Sequence, residues 1–147
     1  MEWTEIDFKT NEWNIPAEKM KMNQSHLVPL SEQVVALLKE IEPLTGHWQY
    51  VFPSERSRRK PMSDNTLNAA LRRLGYSKDE VTTHGFRATA RTLLDEVLEF
   101  EPHLIEHQLA HEVKDSLGRA YNRTKHLKKR MNMMQVWSDY LDTLKDI

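Results

Sequence analysis

The sequence predicts an α+β domain, mostly helical, with a small antiparallel three-stranded sheet packed with a helical bundle. Three observations carry this. Short segments rich in aromatic and β-branched residues occur only before residue 53, and apolar residues at helical spacing run through the rest. The length of 147 residues, with 39% hydrophobic and 29% charged side chains, suits a single domain (1–147) able to bury a core.

The strand segments are Glu12-Trp13-Asn14-Ile15-Pro16 and Ser25-His26-Leu27-Val28-Pro29-Leu30. They flank Ala17 to Gln24 and so predict a hairpin with a longer connection. Tyr50-Val51-Phe52, stopped by Pro53, is expected to be the third strand. Ser31 can cap a helix running to about Ile41, with Val34, Val35, Leu37 and Leu38 as its stripe. Ser63 or Asp64 can cap a second that ends at Gly75, with Leu67, Ala70, Leu71 and Leu74 on one face. Gly85 to Leu98 places Phe86, Ala90, Leu93, Leu94 and Val97 at helical spacing, and Pro102 opens another helix. A last helix from about His126 is expected to bury Leu127, Met131, Met134, Leu141 and Leu144. Its methionines read as core rather than ligands.

Composition excludes several classes. There is no Cys, so disulfides and thiolate metal sites are ruled out. No apolar run approaches the length of a membrane span and no signal-like start is present, so a cytoplasmic location is the default. The net charge of −1 argues against coating nucleic acid by bulk charge. Its distribution is uneven. Arg56, Arg58, Arg59 and Lys60 form one basic cluster, and Arg119, Arg123, Lys125, Lys128, Lys129 and Arg130 another. Residues 95–106 are acidic, with no Lys or Arg. Two solvated faces would look like this, and so would a domain with a local polyanion contact.

Three places carry reactive side chains. His84 and Arg87 stand three apart at a helix entry, where imidazole, guanidinium and free backbone N–H groups can together hold a phosphate. Alone, His-x-x-Arg is a weak signal. Leu109-Ala110-His111 is followed ten positions later by Tyr121, set between Arg119 and Arg123, whose charges favour the phenolate. Lys21 lies in the hairpin connection, where a lysine is ordinarily just solvated but can also serve as proton donor to a leaving alkoxide.

Taken together, Lys21 before a Val-Pro-Leu strand, His84-Gly85-Phe86-Arg87, Leu109-Ala110-His111 and Tyr121 resemble the tyrosine recombinases in order and spacing. The surrounding wording resembles the prophage integrases within that family. It includes Trp13-x-Ile15-Pro16, Met20-Lys21-Met22, His26-x-Val28-Pro29-Leu30, Val51-Phe52-Pro53-Ser54, Thr83 to Thr92, and Glu106-His107-Gln108-Leu109-Ala110-His111. The resemblance covers nearly the whole chain. It implies the catalytic-domain fold of that family and site-specific DNA recombination that integrates a prophage or genomic island. It also implies a 3′-phosphotyrosyl intermediate, double-stranded attachment-site DNA as partner, a homo-oligomer on that DNA, and no cofactor or metal. By the same resemblance Tyr121 is the nucleophile, Arg87 clamps the non-bridging oxygens, and His84 is a hydrogen-bonding or proton-transfer partner. His111 is then a phosphate contact and Lys21 the acid at the leaving 5′ oxygen. Arg119, Arg123, Arg56, Arg58, Arg59 and Lys60 are the expected DNA contacts.

Two departures from the family pattern stand out. The family has a further essential Arg upstream of the sheet, yet the first Arg here is Arg56. The chain is therefore expected to begin beyond that Arg box and beyond the family's N-terminal DNA-binding domains, and these 147 residues alone are expected to be inactive. Ala110 stands where the wider family usually has Gly. Two other readings compete: a non-enzymatic DNA-binding module, and a zinc site on His103, His107 and His111, which share a face if their helix is continuous. The second lacks the Glu after the first His that the protease motif requires.

Overall fold

The computed structural model describes residues 1–111 and 126–145. Arg119, Tyr121 and Arg123 lie outside the described residues.

The expected hairpin forms. Strand β2 (Glu12–Ile15) pairs antiparallel with β3 (His26–Pro29), in the register Glu12↔Pro29, Trp13↔Val28, Asn14↔Leu27 and Ile15↔His26. The other neighbour of β2 is β1 (Ile6–Asp7), also antiparallel, giving the order β1-β2-β3. This corrects the expected third strand. Tyr50 makes only an isolated bridge to Glu2, flanked by hydrogen bonds from Trp3 N to Gln49 O (3.1 Å) and Val51 N to Met1 O (3.3 Å). Pro53, with no N–H, cannot extend that pairing as a donor. Val51 is nonetheless fully buried, so its apolar signal reports core rather than strand.

The β2–β3 connection contains a 3-10 turn over Ala17–Lys19. Lys19 ties it down by pairing with Glu2 and Glu5. Glu5 is buried and also accepts from Trp13 Nε1 (3.0 Å) and Glu2 N (2.9 Å). Burial alone would raise the Glu5 carboxyl, but Lys19, Trp13 and the backbone outweigh it and hold it below the usual carboxylate range.

Helix α1 (Glu32–Thr45) starts at the predicted cap, where Ser31 Oγ accepts from Val34 N. It passes through Pro43 and runs one turn beyond the expected end. Thr45 Oγ1 donates to Val51 O (2.9 Å) and anchors that turn to the core segment. Val35 and Leu38 are buried, whereas Leu37 is exposed. Helix α2 (Thr66–Arg73) begins after Asn65 rather than at Ser63 or Asp64, since Ser63 Oγ bonds Thr66 Oγ1 (2.9 Å) instead of capping the helix. Leu67 on α2 and Leu74 at its C-cap are exposed, and Gly75 follows at φ +97°. Helix α3 (Thr83–Glu96) is capped by Thr82, whose Oγ1 accepts from Gly85 N (3.0 Å). Helix α4 (Pro102–Gln108) has Pro102 in its first turn, as expected.

Helix α5 (Leu127–Thr143) exists as predicted but is rotated from the expected face. Met131, Leu141 and Leu144 are exposed, while Arg130, Met133 and Ser138 are buried. The reason is polar. Ser138 Oγ meets Ser31 Oγ at 2.6 Å, and Arg130 Nη2 donates to Leu27 O at 2.6 Å. Arg130 also donates to Gln108 Oε1 from Nε (2.9 Å) and Nη2 (2.7 Å). These bonds lock the helix about its axis in a rotation that an apolar stripe does not reveal. The core is Leu94, Leu104, Ile105 and Met133, with Leu98, Phe100, Leu109, Met134 and Trp137 packed against it. Helix α4 thus sits between α3 and α5, and α5 reaches back to β3. No helix among the described residues is long and apolar enough to cross a membrane.

Candidate active site

The end of α4 makes the site. His111 N donates to Glu106 O (2.9 Å) and Ala110 N to His107 O (3.0 Å), the paired bonds of a Schellman turn. Such a turn needs a left-handed residue at its bend, and Ala110 holds φ +54°. That is why a Gly suits this position, and why Ala is admitted only at a cost of about 1 kcal/mol. The reversal sends the His111 side chain back across α4 toward α3.

Arg87 waits there, one turn into α3. Its Nη2 donates to Leu109 O and lies 3.2 Å from His111 Nε2. His111 Nδ1 bonds Glu106 Oε2, and Glu106 Oε1 accepts from Arg91 Nε at 2.6 Å. A continuous chain Arg91–Glu106–His111–Arg87 results, open to solvent at both Arg87 and His111. Hydrogen bonding from His111 and Arg91 holds the Glu106 carboxyl below the usual range, against a smaller opposing effect of burial. A planar cation beside an imidazole on an open surface can hold an oxyanion at two points.

The remaining predicted residues are less tightly joined. His84 is exposed on α3, three positions before Arg87 and so on the same face, and its side chain makes no hydrogen bond among the described residues. Lys21 is exposed in the connection just beyond the Lys19 anchor, and among the described residues it makes no ion pair. Arg56, Arg58, Arg59 and Lys60 are exposed on a closed loop whose base is the Pro53↔Pro61 bridge and the Ser54 N to Lys60 O bond (2.8 Å). Arg58 lies over the Trp48 ring at 5.0 Å, and among the described residues none of the four makes an ion pair. The helical face of three histidines that the competing zinc reading requires does not form. Helix α4 ends at Gln108, which leaves His107 buried and His111 exposed beyond the turn.

Sequence reasoning gives Glu106 and Arg130 no role at this site. Glu106 and Arg91 are ordinary surface residues by composition. Only the Schellman turn brings Glu106 and His111, five apart, into contact. In the sequence Arg130 is one member of a basic run, yet it is wholly buried beneath the site. Burial lowers its pKa to about 10, so it stays a cation at neutral pH.

Comparison with known proteins adds an independent line. Residues 1–128 match the phage integrase family. The chain is 46% identical over 137 residues to prophage integrase IntA of Escherichia coli (strain K12), covering 93% of this chain and 33% of that protein. It is 41% identical over 154 residues to the integrase of Enterobacteria phage P4, covering 95% and 35% respectively. With the integrase of Shigella phage Sf6 it shares 36% identity over 143 residues, covering 97% and 37%. The chain thus spans about a third of the length of these relatives. No solved structure gives a significant match.

Proposed function

The chain belongs to the phage integrase family, and from that premise we propose that it carries the catalytic domain of a tyrosine-type site-specific recombinase acting on double-stranded DNA. The observation that carries this reading is the approach of Arg87 Nη2 to His111 Nε2, 3.2 Å apart across 24 positions of sequence. The Tyr121 phenolic oxygen attacks the scissile phosphorus, and the bond from phosphorus to the 5′ oxygen breaks. Lys21 delivers a proton to the departing 5′ oxygen, leaving a 3′-phosphotyrosyl linkage. Arg87 and His111 hold the non-bridging oxygens, where negative charge grows in the transition state. His84, the hydrogen-bonding or proton-transfer partner on the same face of α3, takes up the proton that the Tyr121 hydroxyl loses on attack, so one proton is removed and one delivered. The linkage conserves the bond energy, so attack by a 5′ hydroxyl from another strand reseals DNA by the reverse step.

Exchange between two duplexes requires at least two nucleophiles, which makes a homo-oligomer on DNA the working assembly. Arg119 and Arg123, beside the nucleophile, are further backbone contacts. The exposed loop over 56–60 gives a separate contact to DNA phosphates, and it predicts a salt signature. Neutralising Arg56, Arg59 and Lys60 to Gln, with Arg58 left on Trp48, is expected to weaken DNA binding. The slope of log affinity against log salt should flatten by about 0.9 for each phosphate that the loop no longer neutralises. An unchanged slope would remove this loop from the interface.

The reading as a whole is tested with a recombination-competent protein, a chain extended to the length of its relatives, in strand exchange between two labelled attachment-site duplexes with a chelator present and no ATP. Recombinant duplexes are the expected product. Specific DNA binding with no exchanged or cleaved strand would make the protein a binding module instead. The 147 residues by themselves are expected to give no exchange, because residues 1–55 contain no Arg to act as a second clamp.

A further inference from the structure

Beyond the residues given roles above, the site contains a carboxylate that touches no substrate position and yet governs one that does. His111 is fixed from both ring nitrogens. A carboxylate accepts and cannot donate, so the bond between His111 Nδ1 and Glu106 Oε2 places the proton on Nδ1. A guanidinium donates and cannot accept, so Arg87 Nη2 at 3.2 Å faces a lone pair on Nε2. Both neighbours select the same tautomer. Glu106 is held in turn: its second oxygen accepts from Arg91 Nε at 2.6 Å, and its backbone carbonyl takes His111 N at 2.9 Å.

We propose that Glu106 is a positioning residue, braced by Arg91, that fixes the orientation and Nδ1–H tautomer of His111 and so aims Nε2 at the phosphate position. The part of this that concerns phosphate rests on the recombinase reading above, whereas the tautomer does not. An Nε2 that meets an oxyanion must donate, so the ring then takes up a proton there with Glu106 as its counter-charge. Without that carboxylate the ring is free to turn and to carry its neutral-form proton on either nitrogen.

The test joins a spectroscopic and a kinetic measurement. In the unaltered 147-residue chain, the nitrogen resonances of His111 at alkaline pH should report the Nδ1–H tautomer. In Glu106→Ala they should move to the mixture of a free imidazole, while Glu106→Gln, which keeps an accepting oxygen, should stay closer to the original. On nicked attachment-site DNA, Glu106→Ala in the recombination-competent protein should slow cleavage by about ten- to a hundredfold with DNA affinity nearly unchanged, and Glu106→Gln should recover most of the rate. An Nε2–H tautomer in the unaltered chain overturns the proposal without any variant having to fold. Equal losses for Ala and Gln with no change of tautomer also overturn it, since they indicate a merely structural role. If the 147-residue chain has the predicted tautomer but the recombination-competent longer chain never cleaves DNA, the recombinase reading fails and the positioning of His111 stands.

Discussion

Arg87→Lys is expected to lower single-turnover DNA cleavage by on the order of a hundredfold or more while leaving DNA binding within a few fold. Removing one fixed donor from a site where charge develops typically costs about a hundred- to a thousandfold. The geometry explains why lysine does not substitute. One guanidinium nitrogen of Arg87 spans Leu109 O and His111 Nε2, and the planar fork keeps further N–H groups for a second oxygen. An ammonium has three donors but no fixed plane, and its shorter reach from α3 serves one acceptor at a time. Cleavage by the lysine variant at near the original rate would show that Arg87 acts only as a nearby positive charge.

The second large effect is on stability and comes from beneath the site. His107 is 1% exposed, and burial, followed by repulsion from Arg130, lowers its pKa from 6.5 to about 3. In the unfolded chain His107 takes up a proton below pH 6.5, whereas in the folded chain it does not until near pH 3. Its stabilising contribution is therefore fully present above pH 6.5 and is lost progressively as pH falls toward 3. The slope approaches about 1.4 kcal/mol per pH unit for one such group. His26, also lowered chiefly by burial and then by Arg130, adds to it in the same direction. Glu5 and Glu106, lowered from 4.5, add their own loss only below about that value, so the interval between 6.5 and 4.5 belongs to the histidines. Urea unfolding at pH 7 and pH 5 should differ by about 1–3 kcal/mol, and His107→Gln should reduce that difference. Equal stability at the two pH values, or an unaltered difference in the variant, would show that His107 is not held neutral by its surroundings.

Much of the architecture is legible in the sequence because its signals are local. Ser31, Pro102 and Gly75 mark helix ends through backbone requirements that hold in any fold, and the β2–β3 hairpin follows from two short segments with aromatic and β-branched residues, bounded by polar stretches. The errors share one cause. Val51 is apolar because it is core, and its short apolar run cannot distinguish a strand from a buried loop. The rotation of α5 depends on Ser138 and Arg130, whose burial is decided by partners at Ser31 and Leu27, more than a hundred positions away. Of the site, the pairing of Arg87 with His111 follows from resemblance and not from spacing. Glu106 is hidden because its role arises only from the turn at Ala110, which places His111 over its carboxylate.

The central claim is that Tyr121 becomes covalently joined to DNA. Recombination-competent protein incubated with a nicked attachment-site duplex, which loses its short 5′ product and so traps the intermediate, should yield an adduct that survives denaturation. Mass spectrometry of the digested adduct should find the 3′ phosphate on Tyr121. Tyr121→Phe should abolish the adduct and leave DNA affinity largely intact, since the phenolic oxygen makes the bond but adds little to binding. An adduct on another residue, an adduct that persists in Tyr121→Phe, or cleavage with no covalent intermediate would contradict the account.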